Sequence, residues 1–337
     1  MDPEQLDELL STPRPQTVAA LRACAGDVLV LGAGGKMGPT LARMAARAAR
    51  ELGDGRRVIA VSRFSSAAAE RALRDAGVTM MRADLLDPRA VAELPDAPNV
   101  VYMAGQKFGT SDAPATTWAM NTIVPALCAE RYRQARIVAF STGNVYPLVP
   151  APSAGARETD PVGPVGEYAA SCVGRERIFE HYAARHGTPV AIFRLNYAID
   201  LRYGVLADLA QKVWTGQPVS LRMGWVNVIW QGDANRIALE CLPLAASPPF
   251  VVNVTGTEPL SVRALATALG QRLGREPRYE GTERPDALLS DTSRMRDHFA
   301  LPETSLDAML DRVAAWTRDE KPMLGKPTHF EEREGRF

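Results

Sequence analysis

The stretch Val28-Leu-Val-Leu-Gly32-Ala-Gly-Gly35-Lys-Met-Gly38-Pro-Thr-Leu-Ala-Arg-Met decides the fold of this 337-residue chain. Its four leading apolar residues are typical of a buried strand, and they run into a turn rich in glycine. The turn opens directly into a segment with the apolar period of an amphipathic helix. A strand, a glycine turn and a helix in this order predict the first βα unit of an α/β fold.

The glycines Gly32, Gly35 and Gly38 stand at G-x-x-G-x-x-G spacing. One glycine permits a tight reversal, another lets the backbone approach a pyrophosphate, and a third lets the helix pack closely on the strand. The helix N-terminus adds unpaired N–H groups and the positive end of a dipole, which favour phosphate. The turn predicts a dinucleotide site, with a plain βα turn lacking a cofactor as the alternative. The predicted contacts are Gly32, Gly34, Gly35, Lys36, Met37 and Gly38.

The composition argues against several classes of protein. Lys+Arg and Asp+Glu both number 39, so no overall charge favours nucleic acid or an anionic membrane as a partner. No run approaches about 20 apolar residues, and no membrane span is expected. The 4 cysteines are far apart, and none of the 4 histidines has metal-ligand spacing. Because the acidic N-terminus does not resemble a signal peptide, we predict a cytoplasmic protein with reduced thiols and no metal.

Strands and helices alternate along most of the chain, which predicts a Rossmann-type, doubly wound parallel sheet in an α/β fold. Three regions are expected: a helical extension at 1–26, an NAD(P)-binding Rossmann domain at 27–195, and a smaller α/β substrate lobe with the tail at 196–337. The prediction allows the chain to cross between the two lobes. Strands are predicted at 27–31, 57–61, 78–81, 99–103, 136–140, 189–194, 225–230 and 250–254, and helices at 36–52, 66–76, 88–94, 114–134, 166–186, 204–215, 233–246 and 261–273.

Five more segments follow the glycine turn in order: Ala83-Asp84-Leu85-Leu-Asp87, Tyr102-Met-Ala104-Gly105, Asn121-Thr-Ile-Val-Pro-Ala, Phe140-Ser141-Thr142-Gly-Asn-Val145-Tyr146, and Tyr168 at the start of a helix. With them the sequence resembles the extended short-chain dehydrogenase/reductase superfamily, in its NAD(P)-dependent epimerase/dehydratase branch. The resemblance covers nearly the whole chain. It implies cofactor contacts at Asp84 and Leu85 near the adenine, at Ala104 and Gly105 along the cofactor, and at Asn121.

The end of the second strand bears on the choice between NAD and NADP. In NAD binders this strand usually ends in an acid that accepts hydrogen bonds from the adenosine ribose. Here the strand ends in Ser62-Arg63, so a carboxylate is absent and a guanidinium stands where a 2′-phosphate would lie. Arginine pairs well with phosphate through its planar fork. We predict NADP in preference to NAD, with Arg63 as a solvated charge that stacks on adenine as the alternative.

The resemblance assigns proton transfer to Tyr168 and the polarisation of the substrate oxygen to Thr142, with Ser141 beside it. A tyrosine needs help in this role, because its unperturbed pKa is about 10. The superfamily supplies that help with a lysine four residues later, one helical turn away on the same face. In this chain that position is Cys172, and a neutral thiol supplies no positive charge.

Three interpretations of this departure are open. Another cation replaces the lysine, and Lys107 in Gly105-Gln-Lys107-Phe-Gly109 is the best placed by sequence. Alternatively, other groups move the proton on a substrate that needs little assistance. In the third interpretation the protein binds a dinucleotide without turnover. Lys107 would otherwise be a solvated loop lysine, and Cys172 a packing residue.

Four residues are predicted to contact the substrate: Asn144, Asn196, Arg202 and Trp225. Arginine and asparagine with aromatic neighbours suit a polyhydroxylated or anionic ligand, such as a sugar acid or a sugar phosphate. Packing against the core is the alternative for the aromatic residues of this region.

The resemblance and the residues together predict an NAD(P)-dependent oxidoreductase, epimerase or dehydratase. It would act on a hydroxyl or carbonyl group of a carbohydrate-like substrate: a sugar, a sugar acid or a nucleotide sugar. A catalytically silent dinucleotide-binding regulator or scaffold is the alternative. As in relatives of the superfamily, helices 114–134 and 166–186 could form a homodimer seam, unless the same residues face the sheet. The seam candidates are Ile123, Leu127, Val173, Ile178 and Phe179.

Overall fold

The structure is a computed structural model that describes residues 1–64, 67–107, 109, 112–326 and 328–336, with only the backbone at 68 and 69. Its strands are β1 Val28–Leu31, β2 Val58–Ser62, β3 Thr79–Arg82, β4 Asn99–Tyr102, β5 Arg136–Thr142, β6 Val149–Pro150, β7 Val190–Leu195, β8 Ala198–Ile199, β9 Val219–Ser220, β10 Trp225–Val226, β11 Ile229–Trp230, β12 Phe250–Val254, β13 Leu260–Ser261, β14 Tyr279–Glu280 and β15 Asp286–Ala287. Its α-helices are α1 Pro3–Leu10, α2 Pro15–Ala23, α3 Gly38–Leu52, α4 Ala67–Asp75, α5 Pro88–Ala92, α6 Pro114–Trp118, α7 Val124–Arg131, α8 Gly166–His186, α9 Val205–Thr215, α10 Gln231–Glu240, α11 Val262–Leu273, α12 Ser293–His298 and α13 Leu306–Arg318.

The described residues form a seven-stranded sheet in the order β12-β7-β5-β4-β1-β2-β3, and every neighbouring pair is parallel. Alternate residues of β1 enter cores on opposite faces, with Val28 and Val30 in one and Leu29 and Leu31 in the other. Burial on both sides explains the continuous apolar run of this strand. The predicted Rossmann-type fold is confirmed, and the carboxyl ends of the strands meet at one edge of the sheet.

A separate hydrophobic core lies between α9, α11 and α13, and it forms the center of the smaller C-terminal lobe. The predicted N-terminal extension packs against both parts of the molecule. Leu6 and Leu10 of α1 enter the core of the smaller lobe, and Val18 and Leu21 of α2 enter the core on one face of the sheet. Strand β12 carries the chain back to the edge of the main sheet. The predicted domain boundaries at 26 and 195 stay predictions.

Several predicted elements differ in their bounds. The helix expected at 114–134 is two α-helices joined by a π-helical turn at Ala119–Ile123, the kind of irregularity found most often at functional sites. The strand expected at 225–230 is two short strands, because β10 pairs with β13 and β11 pairs with β8. The helix expected at 233–246 spans Gln231–Glu240, and the predicted start of α4 at 66 lies outside the described residues.

The dimer seam expected from the sequence needs one correction. Phe179 of α8 is buried against the sheet, with its ring centroid 5.3 Å from that of Tyr102. It therefore stabilises the core, whereas Ile123 is 52% exposed. None of the helices within the described part of the chain is long and apolar enough to cross a membrane.

Candidate functional site

The glycine turn lies at the carboxyl edge of the sheet, between β1 and α3. Gly32 has a φ of +86°, and a Cβ there would lie 2.6 Å from the backbone nitrogen of Ala104. A Cβ at Gly38 would lie 2.5 Å from the carbonyl oxygen of Ala33. Both positions therefore require glycine, one for a left-handed conformation beside β4 and the other for close packing of helix and turn.

Gly35 is different, because nothing described in the protein excludes a side chain there. Its Cβ would meet the nearest described atom, the Gly32 carbonyl oxygen, at 3.4 Å, which is an ordinary contact. The open space faces the N-terminus of α3, where Met37 is the N-cap residue and no described side chain caps the helix. The backbone N–H groups in the first turn of a helix have no partner within the helix, and beside open space they fit a pyrophosphate, which the backbone could then approach closely.

The residues predicted to hold the adenosine lie around the ends of β2 and β3. Ser62 is next to the turn, since a Cβ at Gly34 would lie 2.5 Å from its hydroxyl oxygen. Arg63 is exposed, and Arg82 donates hydrogen bonds to the Arg63 carbonyl at 3.3 Å and to the Phe64 carbonyl at 3.2 Å. The guanidinium of Arg82 also pairs with Glu70.

The remaining predicted cofactor contacts have varied surroundings. The Asp84 carboxylate accepts the backbone N–H of Leu86 at 3.1 Å, and Leu85 is buried in the core. Ala104 is buried beside Gly32, while Gly105 is exposed at the end of β4.

Asn121 lies on the π-helical turn and is fully buried. Its side chain exchanges two hydrogen bonds of 3.0 Å with the backbone of Gln106 and donates one of 2.9 Å to the Ser171 hydroxyl. Its amide oxygen also accepts from Arg175. Asn121 therefore joins the loop after β4 to α8, and it does not line the cavity described next.

A cavity of about 250 Å³ opens between the glycine turn, the ends of β4 and β5, the N-terminus of α8 and the smaller lobe. It brings together all four residues predicted for catalysis. The residues that line it are Gly32, Gly35, Lys36, Met37, Gly38, Met103, Lys107, Phe140, Ser141, Thr142, Asn144, Tyr168, Leu195, Asn196, Tyr197, Ala198, Tyr203, Gly204, Val205 and Thr328.

Tyr168 and Thr142 form the polar center of the cavity. The Tyr168 phenol lies close enough to the Thr142 hydroxyl and the Cys172 thiol for both groups to influence its pKa. Thr142 also donates to the Asn144 amide oxygen at 3.0 Å and accepts the Asn144 backbone N–H at 3.2 Å. Burial raises the pKa of Tyr168 well above its ordinary value, while the charge of Arg175 and the Thr142 hydrogen bond act to lower it.

Two lysines border the same cavity. Burial lowers the pKa of Lys107 to about 8, and its ammonium lies 5.9 Å from the centroid of the Tyr168 ring. Burial also lowers the pKa of Lys36 to about 8. The Lys36 ammonium donates to the Ala198 carbonyl at 3.0 Å and lies 3.8 Å from the centroid of the Tyr203 ring. Lys36 thus extends from the glycine turn toward the smaller lobe.

A buried ion pair holds Ser141 at the cavity wall. Ser141 donates to the Glu176 carboxylate at 2.5 Å, and Arg194 pairs with that carboxylate at 2.7 Å. Arg194 also donates to the Tyr146 hydroxyl at 2.7 Å, and Tyr146 donates to Asn253 at 2.8 Å. This network joins the carboxyl ends of β5, β7 and β12 to α8.

Two of the four predicted substrate contacts line the cavity, and the other two lie outside it. Asn144 and Asn196 line the cavity, and the Asn196 amide donates to Asn227 at 3.1 Å. Arg202 does not line it, because its guanidinium pairs with Asp7 at 2.8 Å and with Asp200 at 3.1 Å. Trp225 also lies outside, in β10 and against the core of the smaller lobe.

Among the polar residues of the cavity wall, sequence reasoning missed Tyr197 and Thr328. Thr328 belongs to the C-terminal tail, and both its backbone N–H and its hydroxyl donate to the Asp208 carboxylate, at 2.8 and 2.6 Å. No local pattern predicts where a tail will fold, so the sequence carried no signal for Thr328. Tyr197 directly follows the predicted contact Asn196, and Tyr203, in the segment expected from the sequence to line the pocket, directly follows Arg202.

Comparison with known proteins shows the family and agrees with the fold. Residues 28–205 match the model of the NAD dependent epimerase/dehydratase family. The fold is similar to that of UDP-glucose 4-epimerase from Thermus thermophilus in complex with NAD, with 23% identity, a TM-score of 0.69, and coverage of 87% of this chain and 99% of the other.

Two further solved structures have the same fold. Pal from Bacillus thuringiensis is 19% identical with a TM-score of 0.73, covering 88% of this chain and 100% of the other. The UDP-Glc/GlcNAc 4-epimerase from Campylobacter jejuni is 19% identical with a TM-score of 0.71, again covering 88% and 100%. No curated protein matches the sequence.

The Glu176–Arg194 pair allows a prediction about stability. Glu176→Gln leaves the buried Arg194 without its counter-ion, and we expect the free energy of unfolding to fall by about 3–5 kcal/mol. Glu180→Gln, on the same helix, removes the exposed partner of Arg177 and should cost at most about 1 kcal/mol. Denaturant unfolding of both variants measures the difference. Equal losses in the two variants would contradict a structural role for the buried pair.

Proposed function

The chain belongs to the NAD dependent epimerase/dehydratase family, and on that premise we propose that its cavity carries out NAD(P)-dependent chemistry on a hydroxyl or carbonyl of a carbohydrate-like substrate. The family assignment confirms the enzyme class predicted from the sequence. The placement of Tyr168 and Thr142 in one cavity with the glycine turn is the observation that carries the proposal.

The residues present fit a dinucleotide, because the open space at Gly35 and the uncapped α3 suit its pyrophosphate. When bound, the nicotinamide supplies or accepts the hydride. Tyr168 then transfers the proton of the reacting hydroxyl, and Thr142 holds the oxygen by a hydrogen bond. Ser141 supports this wall through its bond to Glu176.

The substrate class is supported by the lining of the cavity. The polar residues Asn144, Asn196, Tyr197, Tyr203 and Thr328 line this small space, and residues of these types suit a molecule with several hydroxyls. The solved structures of similar fold include enzymes named for UDP-glucose and for UDP-Glc/GlcNAc. A sugar, a sugar acid or a nucleotide sugar is therefore the class to test first.

We assign Lys107 a supporting role on the cavity side of Tyr168. Its ammonium is near the phenol ring, and its position after β4 places it along the edge where the cofactor would lie. The sequence suggested Lys107 as the cation in place of the missing lysine; the role we assign it is a pH-dependent positive charge on the cavity side of the phenol, since burial lowers its pKa to about 8.

Substitution of Tyr168 tests the proposed function. The purified chain is mixed with NADPH or NADP⁺ and a panel of sugar lactones, keto-acids and nucleotide sugars, and nicotinamide absorbance and substrate conversion are followed. Tyr168→Phe should lower the turnover of any substrate found by about 10²–10⁴-fold, with cofactor affinity unchanged. Lys107→Met should lower turnover too.

Tyr182→Phe, on the same helix but outside the cavity, is the matched control. Tight cofactor binding with no conversion across the whole panel would favour a silent dinucleotide-binding protein. Full activity of Tyr168→Phe would contradict the role given to the phenol.

We also propose that NADP is the preferred cofactor. The end of β2 offers the exposed guanidinium of Arg63 and no carboxylate at Ser62 or Arg63, and Arg82 holds the backbone there. The positive charge would pair with a 2′-phosphate that NAD lacks.

Calorimetric titration with NAD⁺ and NADP⁺ tests this preference. Arg63→Ala should weaken NADP⁺ binding by about 10–100-fold, because a hydrogen bond to a charged group contributes about 1.5–3 kcal/mol. Its effect on NAD⁺ binding should be small. Arg89→Ala, an exposed arginine on α5, is the control for general positive charge. Equal affinity of the parent protein for NAD⁺ and NADP⁺ would rule out the preference.

A homodimer through α6–α7 and α8 stays a prediction. Trp118 and Ile123 are 39% and 52% exposed there, and an apolar groove beside them includes Leu127, Ile178 and Tyr182. Sedimentation of the purified chain distinguishes dimer from monomer. The cytoplasmic location is likewise a prediction, and the four free, buried cysteines are compatible with a reducing compartment.

A further inference from the structure

The structure buries a guanidinium group behind the cavity wall formed by Phe140 and Tyr168. Arg175 lies seven residues after Tyr168 on α8, on the same face of the helix and two turns further on. Helical side chains point back toward the N-terminus of their helix, so the guanidinium extends toward Cys172 and Tyr168. Its Nη1 donates to the Phe140 carbonyl at 2.9 Å, and its Nη2 donates to the Asn121 amide oxygen.

Arg175 differs from the other buried arginines in lacking a carboxylate partner. Arg194 pairs with Glu176 at 2.7 Å, and Arg236 pairs with Glu240 at 2.8 Å. Within the described part of the chain, Arg175 has neutral acceptors alone, and its Nε has no hydrogen-bond partner. A buried charge without a counter-ion is costly. A buried guanidinium of this kind can stabilise an anion that forms nearby.

The loop after β4 is shaped around this guanidinium. A Cβ at Gly105 would overlap Arg175 Nη2, and it would lie 2.9 Å from the Asn121 amide oxygen. The centroid of the Tyr102 ring lies 5.9 Å from Arg175 Cζ. Glycine at 105 therefore leaves room for the Arg175 guanidinium next to the carboxyl edge of the sheet, where the cofactor would lie.

We propose that Arg175 supplies the fixed positive charge that stabilises the Tyr168 phenolate, in the role that a lysine at position 172 has in the superfamily. Arg175 does not line the cavity, so it acts through Tyr168 as a positioning residue. The inference rests on the proposed function only in assigning proton transfer to Tyr168.

The other charged groups around Tyr168 do not replace Arg175. On α8, Cys172 has its pKa raised by burial, and Glu176 is paired with Arg194. Across the cavity, Lys107 loses its charge as the pH rises through about 8, and Lys36 does the same. Asp208 on α9 influences both lysines and carries negative charge. An arginine stays protonated over the whole range in which a phenol ionises.

The test places a polyfluorinated tyrosine, whose phenol is more acidic than that of tyrosine, at position 168 of the full chain. Its ionisation is followed by absorbance and ¹⁹F NMR against pH, without cofactor or substrate. Arg175→Gln keeps hydrogen-bonding groups but removes the charge, and should lower the ratio of phenolate to phenol at a given pH about tenfold or more. Arg175→Lys should stay close to the parent.

Asn121→Asp provides an independent variant of nearly the same shape. Its carboxylate would neutralise the guanidinium, and the phenolate fraction should fall as it does in Arg175→Gln. Arg177→Gln, which removes an exposed arginine of the same helix, is the control and should leave the titration unchanged.

The proposal is overturned if Arg175→Gln or Asn121→Asp folds and keeps the phenolate-to-phenol ratio of the parent protein. Equal losses in Arg175→Lys and Arg175→Gln would also overturn it, since they would show that the guanidinium only braces Asn121 and Phe140. The titration uses no substrate, so it can fail while Tyr168→Phe still abolishes turnover. Conversely, it can succeed for a protein that converts no member of the substrate panel.

Discussion

The close approach of the glycine turn to the end of β4 is the constraint on which the rest of the structure depends. Gly32 can adopt its positive φ beside Ala104 only because it has no Cβ, and Gly38 lets α3 begin directly against Ala33. These contacts place the N-terminus of α3 at the carboxyl edge of the sheet, where the parallel strands deliver Thr142 from β5 and Tyr168 follows at the start of α8. The steric requirement at two glycines thus fixes the position of the N-terminus of α3 relative to Tyr168 and Thr142.

Buried charge organises the other wall of the cavity. Glu176 and Arg194 neutralise each other and hold Ser141, while Arg175 is buried without a carboxylate. The two arginines lie near the same helix, yet they serve different purposes. A paired charge fixes geometry, because removal of either member leaves the other uncompensated. An unpaired charge keeps its field available to a neighbour, and in a poorly solvated site that field is weakly screened. On the proposal made for Arg175, the replacement of lysine by Cys172 is a rearrangement of charge around Tyr168.

Much of the fold could be predicted from local patterns. The apolar runs and turns predicted β1 to β5, β7 and β12 within a residue or two. The signal is strongest for central strands such as β1 and β4, because strands buried on both faces are continuously apolar. Elements decided by long-range packing were harder, as with the π-helical turn that aims Asn121 at the loop after β4. In the site, Tyr168, Thr142 and Lys107 came from ordered motifs. Arg175 carried no motif, and the contact of Thr328 with Asp208 joins residues that are 120 positions apart. Arg202 was misleading, because nothing in its sequence neighbourhood showed that Asp7 would pair with it.

Binding of NAD(P)H to the parent chain and to Gly35→Val is the most direct test of the claim that the turn at 32–38 holds a pyrophosphate. The protein leaves space for a side chain at Gly35, so the variant should fold with an unchanged unfolding midpoint. Its added methyl groups would occupy the space of the phosphates, and cofactor affinity measured by calorimetry should fall by more than about tenfold. Equal affinity in the two proteins, or no detectable binding of either nicotinamide cofactor to the parent, would contradict the account.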